Sequence, residues 1–332
     1  VTAVLLVRLS AMGDLVQALG AMAALHRARP EWRLTVATQS PFLPLLEGVP
    51  GIARVVTFER RGGLRAVATL RAELQRERYD VALDLQGNWK SAFVTRLSGA
   101  RRCLGAVPRQ EPRSRWLLHE RIQGPPSRHP ALVAHALVSA LVPGLPFTAP
   151  RLCATAVECD RERAALRGLG IDPERPFAVV VGTDPRDPRA LRPASIAAEL
   201  AAAPQALLLL GPAEADLPTP PGVMVLRHGR GELRRLVALG ALVAAAGGEV
   251  LGPDQGASHV LAAAGARTRV CFGAQDPTAT APPAAVALVH PSPPPCQPCR
   301  ARTCRHPDGP VCMSFVARDG RAMSTGLPHA IS

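Results

Sequence analysis

The sequence predicts an α/β protein made of two doubly wound halves. Three observations point to it. Short aliphatic runs alternate with helix-spaced apolar residues through both halves, the pattern of parallel strands and crossover helices. Several of those runs end in small-residue turns that carry a polar side chain. Between the halves, Pro143-Gly144-Leu145-Pro146-Phe147-Thr148-Ala149-Pro150 has no periodicity and reads as a linker.

The aliphatic run Val4–Val7 reads as a buried strand. It turns through Ser10-Ala11-Met12-Gly13. After Asp14, apolar residues recur at Leu15, Leu19, Met22 and Leu25, a helical spacing. Arg33 to Thr38 and Arg54 to Phe58 are the next expected strands. Leu64 to Arg78 is an expected helix with its apolar stripe at Leu64, Val67, Leu70 and Leu74. Val81 to Leu85 is a strand ending at Gln86-Gly87, Ser91 to Leu97 a helix, and Cys103 to Ala106 a short strand. Pro108 to Pro130 reads as an irregular basic loop with Arg109, Arg113, Arg115, Arg121 and Arg128.

The second half repeats the alternation. Expected strands are Phe177 to Val181, Ala206 to Leu210, Val223 to Leu226, Leu242 to Ala246 and Arg269 to Phe272. Expected helices are Glu232 to Leu239 and Gln255 to Ala264. Crossovers between parallel strands are right-handed almost without exception. Two such halves imply two facing nucleotide-fold domains with a cleft between them, over 1–146 and 151–332.

The chain has 332 residues, enough for two domains. Hydrophobic residues make up 47%, yet no run approaches the ~18 apolar residues of a membrane span. The first residues enter a strand directly, so the expectation is a cytoplasmic protein without a signal peptide. The formal charge of +13 comes from 39 basic and 26 acidic residues, and Lys90 is the only lysine. Such a charge favours anionic partners: a nucleotide diphosphate, a phosphorylated glycolipid or an acidic membrane surface. Nucleic acid is the competing partner. Aromatic residues are only 3% and no recognition motif is evident, which argues against it.

Several residues carry candidate chemistry. Asp14 stands where a strand turns into a helix. Its carboxylate either complements the helix start or acts as a general base. Asp254-Gln255-Gly256 forms a second strand-to-helix turn, where Gly256 lets the backbone approach a phosphate and helix N–H groups can meet an anion. His259 lies one turn on. Glu232 opens a helix, where a carboxylate complements the positive end. Arg60 and Arg61 follow the third strand as a cationic pair. Lys90, alone among arginines, suits a compact point contact. Cys296-x2-Cys299-x4-Cys304-x7-Cys312 has the density of a metal site, with a structural zinc as the usual occupant. Free thiols, disulfides and an iron–sulfur cluster are the alternatives, and a cytoplasmic location disfavours disulfides.

Four stretches together resemble the family 9 glycosyltransferases, the heptosyltransferases of lipopolysaccharide core assembly. They are Arg8-Leu9-Ser10-Ala11-Met12-Gly13-Asp14, Asp84-Leu85-Gln86-Gly87-Asn88-Trp89-Lys90-Ser91, Gly252-Pro253-Asp254-Gln255-Gly256-Ala257-Ser258-His259 and the cysteine cluster. They occur in the family's order and span nearly the whole chain. The resemblance implies a GT-B fold, with an N-terminal acceptor domain and a C-terminal nucleotide-sugar domain whose tail, Ser314 to Ser332, returns to the first. It implies an inverting transfer of a heptose or related sugar from an ADP-sugar to a lipid-linked core saccharide, with no catalytic cofactor. Peripheral contact with the cytoplasmic face of the inner membrane goes with that role.

The resemblance also assigns roles. Asp14 is the catalytic base. Thr183, Glu232, Asp254, Gln255, Gly256 and His259 bind the donor, with Glu232 on the ribose. Ser10, Gly13, Arg60, Arg61, Gln86 and Lys90 face the acceptor. The family's Lys-x-Trp-Pro pattern is replaced here by Ala190-Leu191-Arg192-Pro193, and its Thr by Gln255. No Asp-x-Asp occurs, so Arg189 or Arg192 is the expected cation on the leaving diphosphate. The departures also allow a non-catalytic relative that binds a nucleotide or glycolipid.

Overall fold

The computed structural model describes residues 2–59, 63–108, 110–217, 221–315 and 321–323. The chain divides between Pro150 and Arg151 into two units.

The first unit winds around β1 (Ala3–Val7), every residue of which is buried. The chain continues through α1 (Met12–Ala28), β2 (Arg33–Gln39), β3 (Ile52–Phe58), α2 (Gly63–Leu74), β4 (Val81–Asp84), α3 (Trp89–Leu97), β5 (Arg102–Val107), β6 (Glu120–Gln123) and α4 (Pro130–Ser139). The strands are parallel in the order β3-β2-β1-β4-β5-β6. Leu15, Leu19, Met22 and Leu25 of α1 are all buried, as their spacing requires. A side chain at Gly20 would run into the carbonyl of Thr148, so this glycine lets the linker cross α1. In α2 only the lower part of the expected stripe is buried: Leu70 and Leu74 are in the core, while Leu64 is 88% exposed. The basic loop is also more ordered than expected. Pro112–Leu117 forms a 3-10 turn and Glu120–Gln123 is the edge strand β6, too short and polar to show a period.

The second unit comprises α5 (Ala156–Gly168), β7 (Ala178–Val181), α6 (Pro193–Ala202), β8 (Ala206–Leu210), β9 (Met224–Arg227), α7 (Leu233–Ala245), β10 (Glu249–Pro253), α8 (Gly256–Ala263), β11 (Arg267–Phe272), α9 (Pro277–Thr280), β12 (Ala285–Val289) and β13 (Arg321–Met323). Its sheet runs β13-β12-β11-β10-β7-β8-β9, with β13 antiparallel at one edge. From β7 to β12 this is the strand order of the first unit over again.

One expected strand is overturned. Leu242–Ala246 forms the last turns of α7, and the strand is β10, which starts at Glu249. An aliphatic run of five residues is too short to show a period, so it reads alike as strand or helix. Leucine and alanine favour the helix. The boundary is local: Gly247 takes φ +69°, and Gly248 N–H donates to Val243 O at 2.8 Å while Gly247 N–H donates to Ala244 O at 3.2 Å. That is a Schellman stop, which releases the chain into β10.

Among the described residues no helix is long and apolar enough to cross a membrane. The expected return of the C-terminal tail to the first unit lies largely outside the described residues, as do Arg60, Arg61 and Arg109.

Candidate functional site

In an open α/β sheet, ligands bind beyond the carboxyl ends of the strands, where the strand order reverses. In the first unit that point lies between β1 and β4, which pair from Val4↔Val81 to Val7↔Asp84. The two turns that follow them are tied together. Gln86 accepts from the main-chain N–H of Leu9 at 2.9 Å and Ser10 at 3.1 Å through its Oε1. The Arg8 guanidinium, 1% exposed, donates to Leu85 O at 2.7 Å through Nη1 and to Asp14 Oδ2 through Nη2. Asp14 itself sits in the first turn of α1 with its side chain 24% exposed. The N-cap residue, Ala11, offers no side chain to that helix end.

Asp84 holds the second turn from beneath. It accepts from Gln86 N–H at 3.0 Å and from Gly87 N–H at 2.9 Å. Burial pushes the Asp84 carboxyl up, against the lowering pull of those donors. Gly87 takes φ +83°, a conformation that favours glycine. Asn88 and Ser91 then close a capping box on α3, which leaves Lys90 exposed on its first turn. Ser10 is half-buried and Gly13 buried, both on the first turn.

In the second unit the reversal lies between β7 and β10. The same stretch gathers most of the expected donor residues. Thr183 follows β7; it is 7% exposed, and its Oγ1 has no hydrogen-bond partner among the described residues. Asp254 follows β10. Its Oδ1 meets His259 Nε2 at 2.9 Å, and its Oδ2 accepts from Thr280 Oγ1 at 2.9 Å. Arg189 donates to Asp254 O at 3.1 Å and is gripped by Asp187. Burial raises the Asp187 carboxyl, but the Arg189 bonds outweigh it and hold it below its usual value. Gln255 caps α8 without a side-chain hydrogen bond, so the N–H groups from Gly256 onward are open to an anion.

Arg192 precedes α6 and its main-chain N–H donates to Met313 O at 3.3 Å. Its half-buried guanidinium makes no hydrogen bond or ion pair among the described residues. Ala190, where the resembling family has lysine, is 3% exposed and packed in the interior. Glu232 lies apart from this cluster, at the N-cap of α7, with its side chain 48% exposed. It accepts from Gly229 N–H at 2.6 Å and pairs with Arg235 at 3.4 Å. The Gly229 N–H chiefly, with Arg235, holds its carboxyl below the usual value.

Cys296, Cys299, Cys304 and Cys312 line one cavity of about 580 Å³ together with Pro188. Cys312 is buried beside Met313 against the sheet, whereas Cys296 and Cys299 lie on an exposed loop. Among the described residues no three His, Cys, Asp or Glu side chains stand in a geometry that would hold a metal ion.

Sequence reasoning missed Arg8, Asp84, Asp187 and Thr280. Of these, Arg8 and Asp84 lie inside the quoted motifs, where a charged residue at the end of an aliphatic strand is itself the signal.

Two Rossmann-like units, each with polar side chains massed at its switch point, define an α/β protein of the GT-B class. Residues 67–183 match the model of glycosyltransferase family 9 (heptosyltransferase). A curated relative, the lipopolysaccharide core heptosyltransferase OpsX of Haemophilus influenzae, is 24% identical over 125 residues, 37% of this chain and 36% of the relative. The match thus spans about a third of that relative's length. A family 9 glycosyltransferase structure from Veillonella parvula superposes with a TM-score of 0.75 at 14% identity, covering 86% of this chain and 85% of that one. The E. coli heptosyltransferase WaaC, solved with ADP, gives 0.64 at 20% identity, covering 86% and 91%. At these identities the structures establish the shared fold.

Proposed function

We propose that the chain is an inverting glycosyltransferase that moves a heptose, or a closely related sugar, from an ADP-sugar to an anionic, lipid-linked core saccharide of lipopolysaccharide. The observation that carries this reading is the Asp14 carboxylate, presented at the first unit's switch point by a buried arginine. The family 9 segment and the ADP bound to WaaC support the donor class.

In the proposed reaction the acceptor hydroxyl gives its proton to Asp14 as its oxygen attacks the anomeric carbon. The bond from that carbon to the diphosphate breaks and ADP leaves. Negative charge then grows on the diphosphate, and groups aimed at that charge lower the barrier. Arg192, the Thr183 hydroxyl and the N–H groups opening α8 from Gly256 onward are suited to it. Asp254 and His259 shape that turn, because both carboxylate oxygens of Asp254 are engaged within the protein. Arg189 fixes the same turn from its other side. Glu232, bonded to its own loop, is suited to accept from ribose hydroxyls. Ser10, Gly13 and Lys90 are proposed to face the acceptor, with Gln86 holding their turn in place. Arg60 and Arg61 join them on sequence grounds.

The proposed chemistry uses no metal or cofactor. The substrate's lipid anchor places the enzyme's work at the cytoplasmic face of the inner membrane, and the +13 charge suits an anionic surface there. Incubation with ADP-heptose and a lipid-linked core acceptor tests the reading. ADP release matched one-to-one by a glycosylated acceptor is expected. Binding of ADP-heptose with no ADP release on any core acceptor would replace it with the binding-only relative.

A further inference from the structure

We propose that Arg8 is the positioning residue for the Asp14 carboxylate. This rests on the reading above that Asp14 is the base.

Arg8 is 1% exposed, and a buried guanidinium is stable only where a counter-charge meets it. Its main-chain N–H donates to Ala37 O at 2.9 Å, which extends β1 along β2 and fixes the residue's backbone. Its Nη1 donates to Leu85 O at 2.7 Å, in the turn after β4. Its Nη2 donates to Asp14 Oδ2, in the first turn of α1. One planar group therefore joins the two turns that flank the switch point. Because the guanidinium is rigid, anchoring Nη1 on a main-chain carbonyl also fixes where Nη2 points. The orientation of the carboxylate is thereby set by the sheet.

Two effects of Arg8 oppose each other. A permanent positive charge beside Asp14 favours its ionised form and so weakens it as a base. Fixing the carboxylate relative to the incoming hydroxyl raises the rate, since misplacement of a reacting group by about 1 Å can cost ~10²-fold. A buried cation anchored on the backbone of one turn and holding the carboxylate of the other is built for the second effect. An exposed arginine would keep Asp14 ionised without fixing it. In the transfer itself the acceptor O–H bond breaks, the new O–H bond forms on Asp14, and Arg8 neither gains nor loses a proton.

A double-mutant cycle on the full chain tests this, using Arg8→Met, Arg8→Lys, Asp14→Asn and the doubles, with kcat and KM for ADP-heptose measured separately. Arg8→Met should lower kcat by at least ~30-fold with KM within ~3-fold, the signature of an effect on the chemical step. Arg8→Lys keeps the charge but not the fork, and should lower kcat by ~10-fold. In the Asp14→Asn background either change should cost less than ~3-fold, because the group being positioned is gone. If Arg8→Met does not fold, the Arg8→Lys cycle gives the same reading. Equal losses with and without Asp14 would overturn the proposal and leave Arg8 as a structural tie only. Full turnover in Asp14→Asn alone would instead overturn the underlying reading of the base.

Discussion

Arg189 donates through Nη1 to the main-chain carbonyl of Asp254 at 3.1 Å, so the loop after β7 is bolted to the turn after β10. Asp187 grips the same guanidinium through Nε at 3.0 Å and Nη2 at 2.6 Å. Arg192, three residues on, has no such partner among the described residues. The two arginines that the sequence leaves interchangeable are therefore held differently.

Arg192→Ala should lower turnover by at least ~10-fold, about 1.4 kcal/mol of transition-state stabilisation. Arg189→Ala should act mainly on donor KM, and Asp187→Asn should reproduce part of it, since both loosen the Asp254 turn. The double arginine variant should lose at least ~30-fold, about 2 kcal/mol. Transfer kinetics of the four variants check this; full activity in the double variant would place the diphosphate elsewhere.

Asp84 gives a pH prediction with a definite sign. Burial raises its folded-state pKa above the unfolded value. The folded chain then binds the proton more tightly than the unfolded chain does. The contribution is most favourable below the unfolded pKa of about 3.9 and is lost as pH rises through the folded one. Asp84→Asn removes that loss and keeps an acceptor for the Gln86 and Gly87 N–H groups. Relative to the unmodified chain it should gain stability progressively as pH rises from about 4 to about 8. Asp84→Ala, which strands both donors, should cost ~2 kcal/mol at either pH. Denaturant unfolding at the two pH values decides it; a difference between Asn and Asp that does not move with pH would contradict the assignment.

The thiols should react in order of burial. Burial chiefly, with the neighbouring Cys304, Cys299 and Cys296 thiols, pushes the Cys312 thiol up to about 11. Burial raises Cys271 further and Cys103 as well. The thiolate is the reactive form. Mass-spectrometric alkylation rates near pH ~8 should put exposed Cys296 and Cys299 at least ~10-fold ahead of Cys312, with Cys271 slowest. Protection of Cys296 and Cys299 that a chelator lifts would show a metal on them instead.

How far the fold was legible follows from particular stretches. Ala206–Leu210 is a strand to the residue, because an aliphatic run of that length bounded by turn residues has one reading. The two polar turns at Asp14 and Asp254 were legible because a charged group interrupts an apolar pattern there. Leu242–Ala246 was not, because five consecutive aliphatic residues show no period that separates helix from strand, even though only Leu242 and Val243 are buried. The edge strands β6 and β13 are too short to show one. At the site, residue types were legible but their pairing was not. Nothing in the order of residues says that Arg189 is bound by Asp187 and Asp254 while Arg192 is left over, or that Thr280 reaches Asp254. Those contacts join residues up to 65 positions apart for Arg189 and 26 for Thr280.

The account stands most directly on Asp14. Single-turnover transfer from ADP-heptose to a lipid-linked core acceptor, compared between the unmodified chain and Asp14→Asn, measures it. The account predicts a fall of ~10²–10⁴-fold in the transfer rate, the usual cost of losing a general base, with ADP affinity within about tenfold. An unchanged transfer rate in Asp14→Asn would contradict it.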